Sequence, residues 1–519
     1  MPKAQLAPPA TPRPRERTDR RAFSCPIPLL AALLLFTSGK SWSAPAGTEF
    51  GRIGEFLIAT ASPDCVELLG YDVSPRGDAV LYFGRLRDDA NRVGIWLNAR
   101  RIVPACDSVQ EYGFTAAGKP YVCYSLDGRQ YAFFDGAISR EFDAIVLDSL
   151  TGSRFVLSPS GDRIAFAARD GVWMTAVQGL KPGARYTTVA RLVFGPGRDF
   201  YYLARKGNAW LLVGNGKESK PHDLISDLAL LPKSGKPLLT ARDREQELLI
   251  VDGHESRRWE QITEVTFTPR DSVPAYVASD SGCWFVVEDT TIRVREPGVL
   301  LHSLRYKSDT REPVYVLLDA GLRSTLKTDG RPASAAFDNI EHVTVSPDGR
   351  SVLYQTFDSS GTRVWVNRRL LGVPTGIAGP VIFSPAPGRY AFVTRSDSGV
   401  RVVTDSGTSR LHDVVDELRF SPDGRSLAYV ARNAGKSFVI ENDREGPGYD
   451  AVGYLQFAPT TGWLAYLAVS GSKTSEIVAG VSGDSWDDIG PARFSPDGAR
   501  IAYPARQGSS FLWVCTQVP

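Results

Sequence analysis

Along most of the chain, apolar and polar residues alternate in short runs that are cut by one recurring turn. Leu455 and Phe457 alternate with Tyr454 and Gln456, the period-two pattern of a half-buried strand. Leu427, Ala428, Tyr429 and Val430 form an unbroken apolar run, which predicts a buried second strand. After the polar loop 433–436, Phe438, Val439 and Ile440 predict a third, and a short fourth is expected to follow. Ser-Pro-Asp-Gly lies between the first and second strands: Pro422 presets φ, Asp423 caps local N–H groups, and Gly424 supplies a positive φ that a β-carbon would penalise.

The unit recurs. FSPDGRSLAY at 420–429 returns as FSPDGARIAY at 494–503 and as VSPDGRSVLY at 345–354, and weaker copies run from Pro75 to Pro496 in steps of 36 to 43 residues. Even the weakest, SDTREPVYV from Ser308, keeps the register of PRDSVPAYV at 269–277. Ten residues before most turns stands an aromatic residue or histidine followed by an acid, as in His222-Asp223, Trp259-Glu260, Phe337-Asp338, His412-Asp413, Tyr449-Asp450 and Trp486-Asp487. Phe142-Asp143 stands 17 residues before Pro159, which predicts a seven-residue insertion there.

Four short strands repeated about every 40 residues are the mark of β-propeller blades. The expected fold is all-β, with about twelve four-stranded blades. Twelve exceed the ~4–8 blades usual in one ring, so two six-bladed rings are expected, a first propeller over 47–300 and a second over 301–519. Seven plus five, or a single large ring, stay open. The Ser-Pro-Asp-Gly-Arg-x-Leu/Ile-Ala-Tyr/Phe motif resembles that of TolB-like propellers, a bacterial set related in shape to WD-type propellers, and the resemblance covers roughly residues 55–519. It implies extracytoplasmic binding and scaffolding modules, some with an appended catalytic domain. The motif speaks for fold and little for function, because many functions use the same blade.

The net charge of +2 offers no basic stripe for nucleic acid, and the one basic concentration, Arg13 to Arg21, precedes the apolar run 26–37. That run is short for a membrane span, which needs ~20 residues. With Ala44-Pro45-Ala46 behind it, it predicts a signal peptide over 1–46, cleaved after Ala46 by the Sec or, through Arg20-Arg21, the twin-arginine route. The protein is therefore expected in the periplasm or secreted, touching a membrane only through the leader if that is uncleaved. Five cysteines remain, and Cys65 with Cys515, near the two ends, could bridge as a latch on the ring, although buried free thiols are the blander expectation. Cys106 with Cys123 is the other pair.

Candidate chemistry is sparse. No G-x-S-x-G elbow occurs and blade repeats run to Phe511-Leu512-Trp513, which argues against an appended peptidase domain. The five histidines are scattered, and His222 and His412 occupy the aromatic slot of the repeat. Asp348, Asp423 and Asp497 are explained as turn formers. One constellation breaks the repeat: three residues before the leading hydrophobic of the first strand stand Glu111, Arg154, Arg191, Asp227 and Glu264, against Pro380, Tyr454 and Pro491 in late blades. If first strands line the channel, those charges could converge at one mouth and bind a polar ligand or peptide; a rim of internal ion pairs is the plainer outcome. The sequence thus points to an exported, non-enzymatic module, without cofactor or metal, that binds a protein, peptide or envelope component. The alternative is a polysaccharide lyase or hydrolase with its site at a ring mouth.

Overall fold

The computed structural model describes residues 53–518, apart from 149–150, 360 and 372–374. The leader expected over 1–46, with its cleavage point, lies outside the described residues. Among the described residues every regular element is a strand, and the strands form twelve antiparallel sheets. Sheet 1, for example, runs Cys65–Val73, Val80–Leu86, Val93–Leu97 and Arg100–Arg101 in chain order from inside to outside. Nine sheets have four strands in this order. In sheets 3 and 12 the innermost strand is split, as Ala144–Ile145 with Val156–Leu157 and as Asp488–Ile489 with Arg493–Phe494. The first split holds the predicted insertion. Proline causes the second, since Pro491 has no N–H for the ladder. Sheet 9 has three strands, and its fourth is reduced to the bridges Val400↔His412 and Val403↔Thr408.

The innermost strands are only partly buried, as at Val414–Phe420, whereas second strands are sandwiched between neighbouring sheets and buried on both faces, as at Leu427–Asn433. The core is accordingly divided into one cluster per joint. Val277, Val286, Leu304 and Tyr315 fill the joint between sheets 6 and 7, in the same manner as Val430, Val439, Leu455 and Tyr466 fill that between sheets 10 and 11. This corrects the expectation of two six-bladed rings divided near residue 300. Two rings would pack sheet 6 on sheet 1, whereas sheet 6 continues onto sheet 7, residues 47–519 form one compact unit, and sheet 12 packs on sheet 1. The sheets form one closed cycle of twelve.

Closure is by strand exchange. Gly54–Thr60, from the start of the described chain, is the outermost strand of sheet 12 and pairs antiparallel with Ser510–Gln517, Gly54 against Cys515 and Phe56 against Trp513. Phe511 then packs beside Tyr82 and Trp96 of sheet 1, while Trp513 lies against Gly77. Of the two readings left open for Cys65 and Cys515, the structure holds the free thiols and not the bridge, Cys515 buried with Ala502 and Trp513, and Cys65 packed within sheet 1. The shared strand closes the ring instead. Cys106 and Cys123 are also free and buried.

The Ser-Pro-Asp-Gly turns interlock around one face. In each, the Asp caps its own turn: Asp423 accepts from Arg425 N–H and from the Ser421 hydroxyl, and Ser421 Oγ accepts from Ser426 N–H. Gly424, at φ +72°, is required twice over, because a β-carbon there would also stand 2.4 Å from Ala386 N on the preceding blade.

Candidate functional site

The conspicuous acids of the repeat are fasteners. The aspartate after each aromatic slot accepts a hydrogen bond from the hairpin turn joining strands two and three of its blade: Asp450 from Gly471 N–H at 2.7 Å, Asp487 from Gly508 N–H at 2.6 Å, Asp413 from Ala434 N–H at 2.9 Å. Its second oxygen takes a cation from the preceding blade, as in Lys436–Asp450 and Lys473–Asp487, each 2.7 Å. Those lysines, with the turn N–H, hold both carboxyls below the usual carboxylate range. Asp487→Ala should therefore loosen the joint between blades 11 and 12 by about 1 kcal/mol, the worth of a net hydrogen bond. A urea midpoint unchanged from wild type would show the aspartate to be idle.

The aromatic slot is equally structural. Trp259, Trp486, His222 and His412 are all buried, and each ring sits at the joint. His222 Nδ1 lies 3.0 Å from Asp243 Oδ1, and His412 packs edge-on against Tyr429 with Nδ1 3.1 Å from Asn433 Nδ2. Burial, with Arg410 beside it, holds His412 below the usual histidine range, so it packs as a neutral ring. Among the described residues no three His, Cys, Asp or Glu side chains come together as a metal cage.

Of the five repeat-breaking charges, Glu111, Arg191, Asp227 and Glu264 lie on innermost strands at a β-bulge that recurs blade after blade, whereas Arg154 stands in the gap of the split innermost strand of sheet 3. The ladder slips between Ala190 and Val193, Thr263 and Thr266, Glu341 and Thr344, Asp416 and Arg419, and Gly453 and Gln456. At the slip, Arg191, Glu264, His342, Glu417 and Tyr454 take φ of 48–60°, a left-handed conformation uncommon for such side chains. The bulge aims carboxylates across the joint. Glu264 accepts from Leu304 N–H at 2.8 Å and from Arg305 at 2.9 Å; Glu111 accepts from Arg154 N–H at 2.6 Å and from the Ser153 hydroxyl at 2.5 Å.

The predicted constellation therefore divides into neighbour pairs. Glu111 meets Arg154, Arg191 lies 3.4 Å from Asp227, and Glu264 serves the next blade alone. Only the Arg191–Asp227 pair is substantially open, at 36% and 61% side-chain exposure. The sequence reading missed Glu417, which accepts from Tyr454 and Leu455 N–H at 2.9 and 2.7 Å in the same way as Glu264. Its spacing from Pro422, the same as that of Glu264 from Pro269, carried the signal.

A second group missed in the sequence gathers where blades 12, 1 and 2 meet. Tyr71 donates to Asp488 at 2.8 Å, and Asp72 accepts from Phe114 N–H at 3.1 Å. Enclosure pushes Asp72 up to about 6, against the pull of those N–H groups and of Arg493. Two clefts lie elsewhere, flanking the short-stranded blade 9. One of about 410 Å³ is lined by Thr404, Arg410, Tyr429 and Glu445, and one of about 300 Å³ by Arg368, Arg369 and Asp405.

No family model matches the chain, and no curated protein does. Solved structures similar to it include a eukaryotic initiation factor (11% identity, 67% of this chain and 97% of that one, TM-score 0.37). The dihydro-heme d1 dehydrogenase NirN is similar over 54% of this chain and 70% of its own (14%, TM-score 0.28). TolB from Acinetobacter baumannii is similar over 50% and 79% (14%, TM-score 0.21). At these scores the likenesses carry no argument about function, and the propeller architecture rests on the twelve sheets themselves.

Proposed function

We propose that this chain is an exported, non-enzymatic scaffold that binds a protein or peptide of the cell envelope at the inner rim of its ring. One observation carries the reading: with the repeat acids engaged in fastening blades, the exposed polar side chains held at a fixed height on the innermost strands are Asp227 with its partner Arg191, and Glu341 with His342. The strained bulge fixes the backbone at Arg191 and His342, and pre-ordered side chains lose less entropy when a partner docks. Mixed charge suits a polar peptide surface. Residues 1–46 would deliver the protein across the membrane, and N-terminal sequencing of the exported form should then begin at Gly47.

The test is a photo-crosslinking amino acid at Asp227 or His342 in the full chain, expressed in its own cells, with Lys217 on an outer strand as control. A discrete adduct from the rim positions is expected, absent from Lys217 and lost when Arg191 is changed to Glu. Adducts from Lys217 alone would move the binding face outward. Depolymerisation of a polysaccharide by the purified protein, abolished by Asp227→Asn, would make the rim catalytic and end the scaffold reading.

A further inference from the structure

Where the third strand of each blade pairs with the fourth position of the second, the residue is apolar. It is Val286, Leu326, Val364, Val402 and Val439 in blades 6 to 10, and, opposite Pro504 when the count starts at Ile501, Trp513 in blade 12. In blade 11 it is Glu476, paired with Leu467. Nothing in the blade compensates for the change. Glu476 is 3% exposed, and its Oε1 is buried without a hydrogen-bond partner.

The residues at this position point into the joint with the next blade, as Val402 does between blades 9 and 10 and Val439 between blades 10 and 11. Glu476 therefore faces the joint of blades 11 and 12, made by Leu467, Val478, Trp486, Ile501, Tyr503 and Val514. Tyr503, on Arg500–Gln507, is the titratable group that senses Glu476, and Asp484 and Glu55 act on Tyr503 from farther out. Tyr454 borders the same cluster from the innermost strand, where Asp488 acts on it. No cation opposes the carboxyl. Burial alone pushes Glu476 up to about 8, so at neutral pH it is mostly the uncharged acid.

We propose that Glu476 is a proton-operated release for the ring. Protonated, it packs as the apolar residue whose place it takes; ionised, it forces apart the joint of blades 11 and 12, and with it the blade that holds the closing strand, while the other joints stay shut. The joint is well placed for this, because blade 12 is completed by Gly54–Thr60 rather than by its own sequential strand. A charge without a partner in an apolar joint is unstable, and water can reach it only if the sheets separate. The inference is independent of the rim and of any partner docked there.

Hydrogen exchange of the full chain between pH 6 and 9.5, corrected for intrinsic exchange, tests it. In the wild type, protection of segments 464–518 and 54–73 should fall at least tenfold from pH 7 to 9 relative to segment 238–287. Glu476→Gln, which keeps size and polarity but cannot ionise, should abolish that fall, as should Glu476→Val. Wild-type protection in 464–518 that tracks 238–287 across the range, or an unchanged fall in Glu476→Gln, would overturn the proposal. Should neither variant fold, the infrared C=O band of the buried neutral acid decides: it must vanish over the same pH interval as the protection, and a mismatch refutes the release.

Discussion

Trp513→Ala is expected to lower the stability of the protein by about 3–5 kcal/mol, the usual cost of emptying a large buried aromatic site. Trp513 is 7% exposed and sits where the two ends of the chain meet, beside Phe56 and Ile58 of the closing strand and Val73 of sheet 1. Its indole fills the space above Gly77, where a β-carbon would stand only 2.3 Å from the ring. Alanine would remove the contact that blade 12, the closing strand and blade 1 share, so the loss should show both in the urea midpoint and in faster proteolysis before residue 62. Trp463→Ala is the control: that side chain is 42% exposed, and its loss should stay within about 0.5 kcal/mol. If the two variants unfold alike, Trp513 does not hold the closure.

Glu476→Val should act in the opposite direction and with similar force. The folded-state value of the carboxyl, about 8, lies above its ordinary 4.5, so the folded protein holds the proton more tightly than the unfolded chain. Stability contributed by the protonated acid is fully present below pH 4.5, declines as pH rises, and is gone above 8. At ~1.4 kcal/mol per pH unit this amounts to on the order of 4–5 kcal/mol across the interval. Valine, the residue at this position in blades 8 to 10, has no proton to lose. The variant should therefore surpass the wild type most at alkaline pH, and the difference between their urea midpoints should grow steadily from pH 5 to 8. A constant difference over that range would mean that Glu476 is ionised throughout. Asp72 adds a smaller slope of the same sign below pH 6, present in both proteins and so cancelling in the comparison.

The blade was legible because its determinants are local. Pro422, Asp423 and Gly424 specify a turn that any chain would make there, and the alternation around Leu455 specifies the face that strand buries. The acids of the aromatic–acid pairs also declared themselves, since a group repeated once per blade serves the blade. How many blades close into a ring was not legible, because it depends on small angles at each joint, and the joint of sheets 6 and 7 looks in sequence like every other. The rim was half legible: spacing located Glu111, Arg154, Arg191, Asp227 and Glu264 at equivalent repeat positions, but the bulge that turns Glu264 and Glu417 into the next blade is a backbone conformation without a residue signature. Glu, Arg, His and Tyr all occupy it. Glu476 was hidden for the opposite reason, as an acid within KTSEIV, which reads as a polar-faced strand until its neighbours place it in a core.

A single closed ring of twelve blades makes one geometric demand that no arrangement of two six-bladed rings can meet. Spin labels on three exposed hairpins, at Asn91 in blade 1, Ser281 in blade 6 and Ser509 in blade 12, with Cys65 and Cys283 changed to serine, measure it by double electron–electron resonance. The closed ring predicts a short Asn91–Ser509 distance, that of adjacent blades, and a much longer Asn91–Ser281 distance across the ring. A short Asn91–Ser281 distance together with a long Asn91–Ser509 distance would place blades 1 and 6 side by side and contradict the single ring.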